Sequence, residues 1–326
     1  MQTETEQEAP AQPFSQATTV LTVLVALVVV SRATSLVPHD AALETWAAMF
    51  VAITIQSLPF LLLGVLLASA ISTLLSEQLI SRIFPRKDAY AVPVACVAGI
   101  GLIGCECASV PIANSVIRKG VGAPAAMSFL LAAPAVNPVV IVSTLVAFPG
   151  RPEMALARFV ASFCVSLVVG WLWVRIGRGV PMGSADAGEH DHGTGLGGFL
   201  AAVHHDLITT VGYLILGAMI AASVNTFVPK RLLGSIGSHE VLGVLVLAGF
   251  AFIVALCSQT DAFIAASLTA FSPTARLAFL VVGPAMDVKL ATLETGVFGR
   301  RFAVRFIPLV LVVAVASASL VGWVLL

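Results

Sequence analysis

Two cysteines with a glutamate between them stand in "GCECASVP" (104–111), inside a run otherwise built from Val, Ala, Ile and Leu. Thiolates are soft ligands and suit thiophilic metals and metalloids. On a continuous helix, residues two apart point to different sides, so Cys105 and Cys107 share a ligand only where the backbone is unwound. Gly104 and the helix-breaking Pro111 predict that unwinding. A third cysteine, Cys257, opens "CSQTDAFIAAS", with Thr260 and Asp261 close behind it. Two further stretches, "AAPAVNPVV" and "GPAMDVK", bring Asn137, Asp287 and Lys289 into apolar surroundings.

The elements that must position these residues are membrane helices. The 326 residues are 59% hydrophobic and 10% charged, against roughly 25% charged in a soluble domain. Nine apolar segments are long enough to be spans, at about 17–37, 47–75, 89–118, 121–148, 154–176, 206–228, 241–270, 274–298 and 304–326. Runs of this length predict an all-α polytopic protein rather than a barrel. Lys and Arg together number 17, as do Asp and Glu, so no polyelectrolyte or nucleic-acid partner is implied. The polar stretch 1–16 carries Glu4, Glu6 and Glu8 and has no basic residue. It reads as a disordered tail before a retained anchor at 17–37, not as a cleaved signal peptide. The five cysteines fit free thiols better than a secreted disulfide framework.

The chain also repeats itself. "FLLLGVLLASAI" from Phe60 recurs as "YLILGAMIAASV" from Tyr213, "CECASVPIANS" from Cys105 as "CSQTDAFIAAS" from Cys257, and "SFLLAAPAVN" from Ser128 as "AFLVVGPAMD" from Ala278. The near-constant offset pairs Gly64 with Gly217, Cys105 with Cys257, Ser109 with Asp261, Pro134 with Pro284 and Asn137 with Asp287. The expected organisation is repeat one over 45–178, a polar Gly/His/Asp linker over 179–205 and repeat two over 206–326, with four apolar segments in each repeat. His190, His192, His204 and His205 in and beside the linker have no spacing of a closed metal site. The second and third segments of each repeat are over-long for a straight span and carry their breakers near the middle, which predicts broken or re-entrant helices at the centre of each repeat. Interrupted segments at matching positions of two repeats point to a transporter's midplane site. Inverted and parallel repeats both place more basic residues on the side of the N-terminus, which is therefore expected in the cytoplasm.

Ser109, Asn137, Asp261 and Asp287 each precede a fresh apolar run, and each residue type favours a helix N-cap. Pro111 and Pro138 then fall in a first turn, where the missing N–H does no harm. Four such half-helix N-termini, if they converge, suit an anion or a thiolate. Ionisable groups at membrane depth are costly and mark function by default. The candidate substrate-binding set is therefore Cys105, Cys107, Ser109, Asn137, Cys257, Asp261 and Asp287, with Glu106, Thr260 and Lys289 as candidates for ion coupling or gating. Simple capping, or an Asp287–Lys289 ion pair, is the structural alternative for the charged members. Cys105, Cys107 and Cys257 are weak metal-ligand candidates, because two or three thiols release a passing solute more readily than a closed four-ligand site. Cys96 and Cys164 lie in unbroken stretches and read as small core residues. Arg118, Lys119, Arg300 and Arg301 sit at segment ends, where basic residues anchor the interface.

Taken together, "GCECASVPIANSVIRKG", "FLLAAPAVNPVV", "CSQTDAFIAASL" and "FLVVGPAMDVK" resemble the predicted permeases grouped with the ArsP organoarsenical efflux permeases and YraQ-like proteins, over roughly residues 45–326. The family pattern at the first site is closer to Cys-x-Cys-Gly before Ile-Pro; Cys105 and Cys107 match it, and Ala108 stands where Gly is usual. The resemblance implies a permease in the bacterial plasma membrane that moves a small thiophilic solute such as a trivalent organoarsenical. Some relatives look linked to zinc, so transport of a metal or metal complex, or a subunit role in a metal-handling complex, is the alternative. A partner membrane subunit or a homo-oligomer fits either reading. A membrane thiol oxidoreductase is a third class, but no Cys-x-x-Cys is present. No nucleotide-binding loop occurs, no cofactor is expected, and an enzymatic activity is not.

Overall fold

The computed structural model describes residues 41–74, 84–85, 87–102, 105–179, 196–227 and 240–326. The expected tail and anchor, and His190 and His192, lie outside them. Among the described residues the chain forms helices and no strand: α1 (Ala41–Leu74), α2 (Asp88–Ile100), α3 (Glu106–Arg118), α4 (Ala123–Ala135), α5 (Pro138–Ala147), α6 (Pro152–Ile176), α7 (Leu196–Phe227), α8 (Glu240–Val254), α9 (Asp261–Ser267), α10 (Pro273–Ala285), α11 (Val288–Phe298) and α12 (Arg300–Leu325). The order long helix, split pair, split pair, long helix occurs twice.

Helix length separates two kinds of element. α1, α6, α7 and α12 have 34, 25, 32 and 26 residues, enough at about 1.5 Å per residue to cross a roughly 30 Å hydrocarbon core. None of the eight shorter helices crosses alone. Only α4 and α5, taken together over Ala123–Ala147, add a fifth stretch with the length and hydropathy of a span among the described residues. The expected segments 89–118, 121–148, 241–270 and 274–298 are thus all split, as their breakers predict.

The cause of each break is local. Asn137 is extended (φ −71°, ψ 149°) and its side-chain oxygen accepts from the N–H groups of Val139 and Val140, with Pro138 opening α5. Asp287 (φ −130°, ψ 172°) likewise accepts from the N–H of Leu290 and starts α11. Before α9 the chain unwinds over 255–260, with Ala255 in the left-handed region at φ 51°.

Two expectations about these starts are corrected. Ser109 is not an N-cap: α3 begins at Glu106 with extended Cys105 (φ −89°, ψ 173°) as its cap, and Ser109 Oγ donates to the Glu106 carbonyl at 2.8 Å. The extra turn pairs backbone groups that would otherwise be stranded away from water, and Pro111 is accommodated inside the helix. Asp261 is the first residue of α9 rather than its cap, a place taken by Thr260 without a side-chain cap bond. The linker also ends earlier than expected, because α7 starts at Leu196 and includes His204 and His205.

Packing ties the two halves of the chain together. α1 lies on α7, with the Trp46 indole N–H donating to Ser223, and α6 lies on α12, where Ser317 Oγ donates to the Ala161 carbonyl. Trp173 meets Phe302 and Phe306 edge-on, each at 5.2 Å. Between these long helices, α3 packs against α11 and α5 against α9. Gly64 allows the approach of α1 to α3, since a Cβ there would stand 2.5 Å from Ala108 Cα. Gly217 does the same between α7 and α11, against the backbone of Lys289. The outer faces expose Ile55, Val146, Val312 and Trp323, as expected of surfaces bathed by lipid.

Candidate functional site

The breaks bring the chemistry-bearing residues together. Cys105 caps α3, while Cys107 lies in its first turn rather than on unwound backbone. The two thiols are nonetheless both buried in the same core cluster, close enough to act on one another electrostatically. Because Cys105 is extended, the i,i+2 pair escapes the divergence a helix would impose. Glu106, between them, is buried as well and accepts from Lys289 Nζ at 2.7 Å, across from the first turn of α11. Lys289 also lies 3.9 Å from Asp287 Oδ2, while Asp287 Oδ1 caps α11 at 2.6 Å from the Leu290 N–H. The Asp287–Lys289 pair, one of the structural alternatives offered by the sequence, is therefore the longer of two, and Glu106 takes the short contact.

The second break contributes Cys257, whose thiol donates to Gln259 at 3.4 Å, and Asp261, buried against α10 where Gly283 lacks the Cβ that would stand 2.7 Å from its Oδ2. The charge of Glu106 reaches Cys105, Cys257, Asp261 and Asp287, so these residues form one electrostatic cluster. Three expected members fall outside its centre. Asn137 is buried at the α4/α5 break as a cap, Ser109 is bound within α3, and Thr260 is exposed. Cys105, Cys107 and Cys257 do not gather into a metal centre: among the described residues no three His, Cys, Asp or Glu side chains are placed to hold an ion.

Two buried ionisable residues escape the sequence reading. Arg158, in the second turn of α6, is fully buried and donates to Thr144 Oγ1 and to the Ser258 carbonyl, each at 2.8 Å. It thereby pins the unwound stretch before α9 to α5 and α6. Glu294, in α11, is fully buried with neither carboxylate oxygen partnered. The available signal was the same for both, a formal charge inside an apolar segment. At the segment ends, Arg118 pairs with Asp206 of α7 at 3.0 Å.

The two crossing points differ in cover. At α3·α11, residues 105–113 and both Met286 and Asp287 are buried, with α1 on α3 and α7 on α11. At α5·α9, Pro138, Val139, Thr260 and Phe263 are exposed.

Split helices that carry charge into the centre of an apolar helical protein define an integral membrane protein built around a polar interior. Residues 42–323 match the family described as "Predicted permease", and the chain belongs to that family of membrane permeases. It is 36% identical over 280 residues to UPF0718 protein YcgR of Bacillus subtilis, covering 84% of this chain and 95% of that one. It is 31% identical over 283 residues to a Streptococcus mutans protein named as a two-component membrane permease complex subunit, covering 84% and 94% respectively. No solved structure matches the chain.

Proposed function

We propose that this permease moves a small thiophilic solute, a trivalent organoarsenical or a close chemical relative, across the bacterial plasma membrane. Its site lies at mid-membrane between two homologous repeats, and the N-terminus is cytoplasmic. The carrying observation is the buried Cys105 and Cys107 pair, whose thiols act on one another electrostatically, flanked by the Glu106–Lys289 bridge between the halves. Two soft thiols hold such a solute without the closed coordination that would prevent release. The repeat reading is supported by the recurring helix order, by the matched caps Asn137 and Asp287, and by the reciprocal packing of α3 on α11 and α5 on α9. Within it, α3 starts three residues earlier, in repeat register, than α9.

A second reading, one subunit of a two-component permease, is favoured by the printed name of the Streptococcus mutans relative. Counterflow in proteoliposomes holding the purified chain alone tests both. Methylarsenite, phenylarsenite and Zn(II) are compared, and accelerated exchange of an arsenical is expected. Exchange of Zn(II) alone would replace the cargo, and exchange of none of them by a folded chain would overturn the reading in favour of the subunit.

A further inference from the structure

The interior holds more acid than base. Its buried carboxyl side chains are Glu106, Asp261, Asp287 and Glu294, against Arg158 and Lys289 as buried cations, among the described residues. Lys289 is committed to Glu106, with Asp287 at the edge of its reach, and Arg158 spends its two outer nitrogens on Thr144 and Ser258. Each of the four carboxyl groups keeps at least one oxygen without a hydrogen-bond partner.

Glu294 is the extreme member. Both of its oxygens are unpartnered and fully buried, and the charged group whose field reaches it is Asp287, of the same sign. It follows Asp287 by seven residues, about two turns and about 10 Å along the same face of α11, towards Gly299 and Arg300 at the helix end. α3, α7, α8 and α12 pack on α11. The ionisable groups of α3 that act on the start of α11 at Lys289 are Glu106, already paired, and Cys107; from α7 the Tyr213 ring lies against Gly296.

An isolated carboxylate in such a place is strongly disfavoured unless something positive accompanies it. A metal ion needs several gathered ligands, and none are gathered here among the described residues. A proton needs one oxygen. We propose that Glu294 is a proton-carrying site of the permease, two helical turns from the charged cluster, and that proton exchange there couples solute movement to a pH gradient. This rests on the permease reading and adds its coupling ion. The one bond made or broken is the carboxyl O–H, and solvent water is the donor and acceptor of the proton.

Two readouts on the reconstituted full chain test it. Infrared spectra in water and heavy water should contain a protonated-carboxyl band that Glu294→Gln removes and Glu294→Asp retains at a shifted frequency. In the same vesicles, phenylarsenite counterflow without a pH gradient should survive in Glu294→Gln, while flux driven by an imposed pH gradient falls roughly tenfold or more. Glu294→Asp should recover part of that flux. A wild-type spectrum without the band overturns the proposal even if Glu294→Gln does not fold, and so does a Glu294→Gln variant that matches wild type in both readouts. Absence of counterflow in the wild type would instead strike the solute reading, and the infrared result alone would then decide the proton site.

Discussion

Removing one partner of the Glu106–Lys289 bridge should cost far more than removing both. At 2.7 Å and an effective dielectric of about 20, the two charges attract by about 6 kcal/mol. Most of that attraction offsets the desolvation of two groups that are 1% and 3% exposed. The net value of the pair is therefore small, while a widowed charge keeps its desolvation cost, about 3–5 kcal/mol. Lys289→Met leaves Glu106 alone and takes the neighbouring cation from Asp287. Glu106→Gln is milder, because Lys289 retains Asp287 at 3.9 Å. At about 2–4 °C per kcal/mol, Lys289→Met should lower the apparent melting temperature in detergent by roughly 6–20 °C. The double variant Glu106→Gln/Lys289→Met should recover part of this loss, with a coupling energy of about 2 kcal/mol or more. A double variant whose shift equals the sum of the two single shifts would refute the reasoning.

Four other outcomes are expected. Arg158→Lys cannot reach Thr144 and Ser258 with a planar fork, so it should lower stability by about 2–3 kcal/mol in the same melting assay; an unchanged melt counts against the tether. Gly64→Ala forces a Cβ to within 2.5 Å of Ala108 Cα and should cost about 1–3 kcal/mol. Gly249→Ala, with nothing within 4 Å of its new Cβ, should be neutral or stabilising by up to about 1 kcal/mol. Cys105→Ser and Cys107→Ser should cut arsenical counterflow per folded molecule while leaving abundance near wild type, because a hydroxyl fits the space but is a poor soft ligand; undiminished flux in both would remove the thiols from the site.

What sequence made legible was what local chemistry decides. Pro138 lacks an N–H and Asn137 and Asp287 offer a capping oxygen, so the breaks before α5 and α11 follow from neighbouring residues alone. The start of α3 was misplaced by four residues, because burial favours the added turn over the cap that Ser109 offers. The partners of the charges were beyond reach for a different reason. Lys289 finds Glu106 across 183 residues and Arg158 finds Ser258 across 100, and no periodicity encodes such separations. Nor does any local signal distinguish the covered α3·α11 crossing from the exposed α5·α9 one, since both are built from short apolar helices that start at a break.

The bridge between the halves also sets an order of events in biosynthesis. Glu106 enters the bilayer 183 residues before Lys289 is made, roughly 10–40 s at 5–20 residues per second. Arg158 likewise waits for the backbone at Ser258. During that interval the nascent first half carries a carboxylate whose partner does not yet exist and a guanidinium that has Thr144 but lacks the Ser258 carbonyl. Expressed alone, the first half is expected to be cleared by quality control rather than to accumulate in the membrane, which its abundance beside that of the full chain would show. Supplied together, two separately translated halves have a reason to find each other, because each brings the counter-charge or the carbonyl that the other lacks.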